Sequence, residues 1–411
     1  MSALMPAQPS QLSERLRDVG AVVIGGDHPG LAIARSLGRR KIPVCIIDDQ
    51  HPISTYSRYA TRVVRAKDLR DPLKTVESVL EIGHRFNLRD WVLFPTRDET
   101  VMAFALYRDR LAEFFRVTTP PWETTQLAWD KANTYKVAEE LGIPAPRTWT
   151  VQSASELRSL YSYLPLAIKP AIKEHFFYST GDKAWRAETP EQLHELFRAA
   201  AEKIKLSEIL IQEIIPGDGE RQVSYGVFFR DGQAHSSLVA RRLRQHPREF
   251  GRAATYVETA EIPEIEELSE RFLRAINFYG IAEVEFKQDS RDGRYKILDV
   301  NARAWGFHGL GQVAGVDFPY LLFADQMGYP IQPCRAKAGV GWLRLLTDIP
   351  TALTDILGGH LSFGKYLQSI RNTKTESVLC WDDPLPSLAE FLLLPYHLKK
   401  KIFTKGSGTS V

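Results

Sequence analysis

Cysteine is scarce in this sequence: Cys45, Cys334 and Cys380 are the only three among 411 residues. They lie far apart and form no Cys-x-x-Cys pair, the spacing that zinc sites and redox-active dithiols use. An odd and scattered set predicts free thiols rather than a disulfide framework. We therefore expect a cytoplasmic protein without a cysteine-based metal or redox site.

Long hydrophobic runs are also missing. The most apolar stretch, residues 391–394, is stopped by Pro395 and is far shorter than the roughly 20 residues that cross a bilayer. The first 20 residues are polar and have no apolar centre, so they resemble neither a secretory signal nor an anchor. We expect residues 1–20 to form a flexible tail and predict no membrane partner.

The sequence has little excess of either charge, since 53 Lys and Arg stand against 50 Asp and Glu. A net charge of +3 lacks the concentrated basic face that duplex nucleic acid requires, so we predict no nucleic-acid partner. Hydrophobic residues at 44% and charged residues at 25% are typical of globular proteins and exclude disordered or fibrous classes. Because single cores stop growing at about 250–300 residues, two or three domains are expected.

The N-terminal part reads as β-α-β. Residues 21–24 are apolar and end at Gly25 and Gly26, a helical pattern covers residues 31–40, and a second apolar run ends at Asp48. Glycines followed by an acid at the end of the second strand resemble a dinucleotide site, but every doubly wound α/β domain needs a tight turn here. We interpret this part as a doubly wound domain and keep a dinucleotide as the lesser alternative.

A polar cluster follows the next predicted strand, residues 91–95, and contains Asp98 and Glu99. Open α/β sheets bind ligands at the carboxyl ends of their strands, so both acids are candidate substrate contacts. The competing interpretation has equal weight: this cluster simply begins the following helix.

The composition changes near Pro120, and a helix is predicted from about residue 131 to 141. Two hairpins follow, one turning at Asp231-Gly232 and the other at Asp292-Gly293. This arrangement favours a two-lobed α+β unit, followed by a small C-terminal appendage.

The second hairpin carries the strongest chemical signal. If it is symmetric about Asp292, Glu285 lies opposite Asp299 and Glu283 lies opposite Asn301. Two carboxylates side by side repel each other unless a cation lies between them, and Mg²⁺ prefers such oxygen ligands. The alternative is an exposed hairpin in which Glu285 pairs with Lys287 or Lys296.

These residues resemble a known signature. Val284-Glu285-Phe286, followed by the run from Asp299 to Arg303, is similar to the metal-binding motif of the ATP-grasp superfamily. The resemblance implies ATP as cofactor and Mg²⁺, or alternatively Mn²⁺, held by Glu285, Asp299 and Asn301. It also implies that Arg303 is catalytic and stabilises the transferring phosphoryl group.

The resemblance extends over residues 130–328 and implies a nucleotide site. Lys131, Lys169 and Lys183 would contact phosphates, and the apolar run 209–217 would be the adenine hinge. The segment 174–183 has one glycine where the family has a glycine-rich loop, so either Lys183 replaces backbone amides or the segment recognises an aromatic partner. The implied hinge and ribose contacts are Gln212, Glu213, Ile215 and Glu220.

A narrower resemblance, to carboxylate–amine ligases related to D-aspartate ligase, rests on the arginine-rich run 241–247. It implies that Arg241 is a second catalytic residue. Strand alternation predicts that Arg242 and Arg244 point to one face and Arg241 to the other.

These observations predict four parts and one activity. The activity is ATP-dependent joining of a small carboxylate to an amine through an acyl phosphate. A homodimer is expected only because dimers are the commonest oligomers of soluble enzymes. The alternatives are a nucleotide-binding sensor without catalysis and a dinucleotide-dependent dehydrogenase. The predicted parts are the tail 1–20, a Rossmann-like domain 21–123, an ATP-grasp domain 124–330 with a nucleotide lobe at about 150–235, and the segment 331–411.

Overall fold

A computed structural model describes residues 19–217, 219–248, 250–251 and 253–392. The predicted flexible tail therefore lies almost wholly outside the described residues. Three β-sheets organise the described chain, one parallel and two built from antiparallel hairpins. This arrangement confirms the predicted class, a doubly wound α/β domain followed by a two-lobed ATP-grasp unit.

The N-terminal domain is a five-stranded parallel sheet with strand order β3-β2-β1-β4-β5. Its two central strands β1 and β2 are fully buried because every residue in them but the terminal acid Asp48 is apolar. The predicted helices and strands are present within a few residues of the expected bounds. They are β1 (Ala21–Ile24), α1 (His28–Gly38), β2 (Val44–Asp48), β3 (Arg62–Arg65), α2 (Pro72–Arg85), β4 (Val92–Pro95), α3 (Asp98–Leu106), α4 (Arg108–Ala112), β5 (Arg116–Val117) and α5 (Trp122–Trp129).

The small lobe has a four-stranded sheet with strand order β6-β9-β7-β8. Helix α6 begins at Lys131, as predicted, where the Asp130 carboxylate accepts the Ala132 N–H and caps the helix. The predicted nucleotide lobe extended to residue 235, but this sheet ends at Glu213 because the next hairpin joins the large sheet. The elements are α6 (Lys131–Glu140), β6 (Thr148–Trp149), β7 (Leu166–Pro170), α7 (Lys173–Thr180), β8 (Trp185–Ala187), α8 (Pro190–Ala201) and β9 (Ile209–Glu213).

The large lobe contains an eight-stranded sheet with strand order β14-β13-β10-β11-β12-β16-β17, and β15 pairs with β11. Both predicted hairpins form its centre and one edge. Its elements are β10 (Gln222–Arg230), β11 (Gln233–His246), β12 (Ala253–Ala260), α9 (Pro263–Ala275), β13 (Gly280–Gln288), β14 (Tyr295–Asn301), α10 (Leu310–Ala314), α11 (Phe318–Gln326), β15 (Cys334–Arg335), β16 (Gly341–Leu343), α12 (Leu345–Leu357), α13 (Phe363–Asn372) and β17 (Thr373–Glu376).

The C-terminal segment is not a separate appendage in the described part. Its strands β15, β16 and β17 extend the large sheet, so they bury backbone groups that a free unit would expose. The same segment also returns to the N-terminal domain, where the buried Arg35 forms an ion pair of 2.9 Å with Asp383 and donates to Val378 O. Within the described residues, no helix is long and apolar enough to cross a membrane.

One continuous core joins the N-terminal domain to the large lobe. It contains Val23 of β1, Phe228 of β10 and Trp305, a residue just beyond β14 that is 1% exposed. Because this core crosses the boundary, the carboxyl ends of the parallel strands lie against the end of the β13–β14 hairpin. The polar side chains of both parts meet there.

Candidate active site

At its acidic residues the β13–β14 hairpin has the predicted register, although a bulge between Glu285 and Phe286 shifts the pairing nearer the turn by one residue. Glu283 is opposite Asn301 and Glu285 is opposite Asp299, in antiparallel pairing across the turn. The Asn301 amide donates to Glu283 at 3.0 Å and to Glu285 at 3.1 Å, so one amide touches both acids. The four side chains thus form a compact set of oxygen atoms near the edge of the large sheet.

Burial makes this acidic pair electrostatically strained. Burial, and then the charge of Glu285, raise the pKa of Glu283 to about 8. Burial also acts to raise the pKa of Glu285, but the charges of Arg242 and Lys183 outweigh it and lower that pKa to about 2. One Glu283 oxygen, Oε1, is buried without a hydrogen-bond partner. An unpartnered carboxylate oxygen beside a second acid is a donor set that suits a divalent cation.

The residues present therefore fit Mg²⁺, with one qualification. Across the described ranges, no three histidine, cysteine or acidic side chains converge on a single metal position. A cation here would depend on Glu285, Asp299 and the amide oxygen of Asn301, with Glu283 nearby, and on ligand oxygens. Mg²⁺ is commonly bound in this way, by one or two carboxylates together with substrate phosphates.

Arg242, which the sequence analysis did not select, is the arginine that reaches these acids. Its Nη2 lies 3.0 Å from Glu285 and 3.6 Å from Glu283, and the side chain is almost fully buried. Arg241 lies on the opposite face of β11, in register with Val223 and Glu258. The expected role of Arg241 rested on resemblance alone, and the geometry favours its neighbour.

The expectation that Arg242 and Arg244 share a face is wrong. In the pairing of β11 with β12, Arg242 is opposite Val257 and Arg244 is opposite Tyr256, the adjacent residue of β12. Leu243 is therefore an extra residue of β11 and forms a β-bulge. The bulge turns Arg244 to the other face. There it forms a bidentate ion pair with Asp348, at 2.8 and 2.9 Å.

Two of the predicted phosphate-binding lysines approach the hairpin from the small lobe. Lys131 Nζ lies 2.7 Å from Asp299 Oδ1, and this carboxylate outweighs burial and raises the pKa of Lys131 above its ordinary value. Lys169 Nζ donates to the Tyr135 hydroxyl at 2.7 Å, and that hydroxyl donates to Leu298 O at 2.8 Å. Both lysines are thereby held close to β14, Lys131 directly and Lys169 through Tyr135.

The glycine-poor segment after Lys169 is largely helical, as α7. Helix α7 ends at Gly181, whose φ of +78° favours glycine, and Phe176 packs edge-on against Trp185 at 4.6 Å. Lys183 follows and donates to Gly251 O at 2.9 Å. Burial and the nearby Lys173 lower the pKa of Lys183 to about 8, so an added anion would favour its protonated form.

Asp98 links three parts of the molecule. Its carboxylate accepts two hydrogen bonds from Arg303, at 2.6 and 2.8 Å, and one from Lys173 of α7 at 3.2 Å. The adjacent Glu99 accepts a hydrogen bond from the Tyr178 hydroxyl on the same helix. Burial would raise the pKa of Asp98, but Arg303 and Lys173 hold it well below the usual range.

The predicted hinge residues connect to the same hairpin from the other side. Glu213 accepts from Lys296 at 2.7 Å and from Arg291 at 3.1 Å, and Gln212 donates to Thr148 at 2.7 Å. The carbonyl of the buried Ile215 accepts from a lysine of β13 at 2.9 Å. Glu220, predicted to contact the ribose, lies in a short 3-10 turn and is exposed.

A cleft of about 340 Å³ opens where these parts meet. It is lined by groups of both charges, which is the chemistry needed to hold a metal–phosphate complex and a charged substrate together. Sequence reasoning missed Lys173 and Glu174 because only the fold of α7 brings them here. The lining residues are Asp98, Val101, Trp129, Lys131, Lys173, Glu174, Asp299, Val300, Asn301 and Ala302.

Comparison with known proteins supports this geometry. Residues 205–343 match the family described as ATP-grasp in the biosynthetic pathway with Ter operon. The chain is 24% identical over 297 residues to D-aspartate ligase of Enterococcus faecium (strain Aus0004), covering 69% of this chain and 70% of that protein. These matches confirm the predicted resemblance to ATP-grasp ligases.

Solved structures show the same fold. The L-amino acid ligase of Bacillus licheniformis superposes with a TM-score of 0.61 at 16% identity, covering 77% of this chain and 75% of that one. N5-carboxyaminoimidazole synthetase of Staphylococcus aureus, complexed with ADP, also has a TM-score of 0.61, at 16% identity and with 79% and 81% covered. The biotin carboxylase domain of Hydrogenobacter thermophilus 2-oxoglutarate carboxylase, solved with MgADP, reaches 0.62 at 14% identity, covering 78% of this chain and 73% of that one.

Proposed function

We propose that this protein is an ATP-grasp ligase that activates a small carboxylate, an amino acid by analogy with the D-aspartate and L-amino acid ligases it resembles, with ATP and joins it to an amine. The observation that carries the proposal is the opposed pair Glu285 and Asp299. Asn301 donates to Glu285 and accepts from Arg303, and Lys131 pairs with Asp299. This is a site for a metal–phosphate complex with a fixed positive charge beside it.

Nucleotide binding is assigned to the small lobe and the hairpin. Lys131, Lys169 and Lys183 would contact phosphate oxygens, and the hinge with Gln212, Glu213 and Ile215 would hold the adenine, with Glu220 near the ribose. Glu285, Asp299 and Asn301 would hold Mg²⁺, which supplies charge neutralisation between phosphate oxygens when bound. The three lysines neutralise the remaining phosphate charge.

The proposed reaction has two steps and needs only ATP, the carboxylate and the amine. A substrate carboxylate oxygen attacks the γ-phosphorus of ATP, the bond to the bridging oxygen breaks, and ADP leaves with that electron pair. The amine nitrogen then attacks the acyl carbon, the bond from carbon to the phosphate oxygen breaks, and a proton leaves nitrogen. Arg303, a guanidinium that stays charged, would stabilise the transferring phosphoryl group and then the tetrahedral oxyanion.

The decisive assay is phosphate release from ATP by the full chain in a screen of amino-acid pairs. Release that requires both a carboxylate and an amine supports the ligase. Arg303→Ala is expected to abolish this turnover while ATP binding remains, and Arg158→Ala, at an exposed arginine of the small lobe, is the control expected to retain it. Nucleotide binding without turnover for any pair would instead favour a non-catalytic sensor.

The dehydrogenase alternative has no support from the N-terminal glycines. Asp48, the acid that would bind a ribose, accepts the Gly26 N–H at 2.6 Å and the Arg97 guanidinium at 2.8 Å. A side chain added at Gly26 would meet Ser54 at 2.2 Å, so the glycine serves close packing. The glycine turn is therefore explained by the fold of the domain itself.

A further inference from the structure

The C-terminal helices expose an unusual amount of apolar surface. Among the described residues, twelve of the twenty large hydrophobic side chains that are exposed fall between residues 349 and 392. Concentration in so short a segment is not the scattered exposure that every soluble surface has. It indicates a binding surface rather than chance.

Two helices each contribute one apolar stripe to this surface. On α12 the exposed residues are spaced by four, and on α13 by four and three, so each set lies along one helical face. The opposite faces point to the large sheet, where Arg244 binds both Asp348 of α12 and Ser369 of α13. The outward stripes define the C-terminal apolar surface: Ile349, Leu353, Leu357, Phe363, Leu367 and Ile370.

The chain that follows this surface is strongly basic. Residues 393–411 contain Lys399, Lys400, Lys401 and Lys405 and no acidic residue. These four positive charges exceed the net charge of the whole chain, +3, so residues 1–392 carry a net charge of −1. The positive excess of this sequence therefore lies entirely in residues 393–411, which follow the apolar helices along the chain.

The described chain leads directly into that basic stretch. Residues 385–392 are helical, and Glu390 accepts a hydrogen bond from Arg344 at 2.6 Å, which fixes this helix at the start of α12. Phe391 and Leu392 are 70% and 66% exposed, and Trp381 is 96% exposed. Apolar and aromatic groups thus continue up to the point where the lysines begin.

We propose that the C-terminal apolar surface and the lysines after it dock this protein reversibly on an anionic lipid bilayer. Apolar side chains enter the headgroup region while lysines are attracted to acidic lipids, and stable binding needs both signals. The protein would lie on the membrane, in contrast to the prediction of no membrane partner.

Charge is what favours a lipid surface over the other occupants. A second copy would bring an identical basic segment to the same interface, which like-charge repulsion opposes. Nucleic acid requires cationic contacts across the docking face, whereas the outward side chains of α12 and α13 named above are aliphatic or aromatic. A bilayer with acidic headgroups satisfies the apolar and the basic component together.

The test is co-sedimentation of the full chain with vesicles. Phosphatidylcholine vesicles with about one third phosphatidylglycerol should bind the protein, salt should weaken that binding, and pure phosphatidylcholine should bind much less. Because each lysine near the surface changes the partition about fivefold, Lys399→Gln, Lys400→Gln and Lys401→Gln together should reduce it about a hundredfold.

The apolar component has its own variant and control. Leu357→Ser with Phe363→Ser should lower partition to acidic vesicles at least about tenfold. Leu73→Ser with Leu106→Ser removes leucines that are 41% and 44% exposed in the N-terminal domain and should leave partition unchanged. Both pairs are exposed, so an unchanged unfolding midpoint verifies that each variant folds.

Four results would overturn the proposal. One is an absence of sedimentation with acidic vesicles. The second is partition that the lysine and apolar variants do not reduce. The third is a dimer, seen by sedimentation velocity, that Leu357→Ser with Phe363→Ser dissociates, because the surface would then belong to a second copy; preferential binding to duplex DNA over acidic vesicles would count equally against it.

Discussion

Asp98 and Arg303 form a bidentate ion pair between two domains, with both carboxylate oxygens accepting from one guanidinium across 205 positions of sequence. The acid begins α3 of the N-terminal domain, and the arginine follows β14 of the large lobe. Lys173 of the small lobe joins the same carboxylate. The geometry favours Asp98 as a residue that positions Arg303, although the sequence suggested it as a substrate contact.

Replacing Asp98 by Asn should destabilise the protein and impair the proposed catalysis. The variant keeps the shape but removes the charge that balances the buried Arg303 and Lys173. A largely buried pair of this geometry suggests a loss of about 2–3 kcal/mol in the free energy of unfolding. Urea unfolding at neutral pH measures this loss. In the phosphate-release assay, kcat should fall by a larger factor than the factor by which KM for ATP changes.

The matched control is Asp68→Asn. Asp68 pairs with Lys74 at 3.7 Å on the surface of the same domain, where both side chains are well exposed. Such pairs contribute about 0–1 kcal/mol. Equal losses for the two variants would contradict a special role for the Asp98 contact.

The hairpin shows how far the sequence could lead. Counting residues from Asp292 placed Glu285 opposite Asp299 correctly, but nearer the turn Phe286 pairs with Ile297, and a bulge between Glu285 and Phe286 brings the acids into that register. The helix cap at Asp130 was equally local. Features of this kind depend on neighbours in the chain, and sequence patterns describe such neighbours well.

Features that depend on distant contacts were not predictable. The bulge at Leu243 reverses the facing of the residues after it on β11, and it lies where the pairing with β10 has ended and only β12 is paired, which no local sequence pattern marks. The contact of Asp98 with Arg303 requires knowing how two domains dock. The C-terminal strands were missed because β15 to β17 are two to four residues long and pair with distant strands.

Asp348 should be among the residues most important for stability. It is fully buried, and its carboxylate is held by Arg244, which also stacks on the rings of Tyr256 and Tyr366. Asp348→Ala leaves a buried guanidinium without its partner, which typically costs about 3–5 kcal/mol. Chemical denaturation should therefore show a clear fall in the unfolding midpoint with little change in slope.

A double replacement separates the charge effect from packing. Arg244→Met with Asp348→Leu removes both charges and should recover most of the stability that Asp348→Ala loses. Asp355→Ala, on the same helix but not fully buried, should change stability by less than about 1 kcal/mol. A double variant as unstable as Asp348→Ala would show that Ser369 and the stacked rings, rather than the ion pair, determine the effect.

The raised pKa of Glu174 should make the free energy of unfolding depend on pH. Burial, and then the charge of Asp98, raise the pKa of this carboxyl from 4.5 to about 7 in the folded protein. Below pH 4.5 the group is protonated in both states and costs nothing. As pH rises towards 7, the unfolded chain ionises first, so the folded state loses stability, and the full penalty remains above that pH.

Glu174→Gln should remove this penalty. The unfolding free energy of the variant minus that of the unchanged protein should be about 2 kcal/mol larger at about pH 8 than at about pH 5. Urea unfolding of both proteins at the two pH values measures the difference. Glu195→Gln, at a residue on the outer helix α8, should show no such gain. A difference that does not change with pH would mean that Glu174 ionises normally.

Gly226 should tolerate no side chain, because it lies against the ring of Trp305, which follows the β13–β14 hairpin. It is opposite Glu283 in the β10–β13 pairing, and a Cβ atom there would come within 2.3 Å of the Trp305 ring. Trp305 is buried and two residues beyond Arg303, so displacing the ring moves the segment that carries the arginine. Gly226→Ala should cost about 1–3 kcal/mol and also lower phosphate release. Gly364→Ala, in α13 with no atom within 4 Å of an added Cβ, should be neutral or slightly stabilising; equal stability of the two variants would show that Trp305 can move without cost.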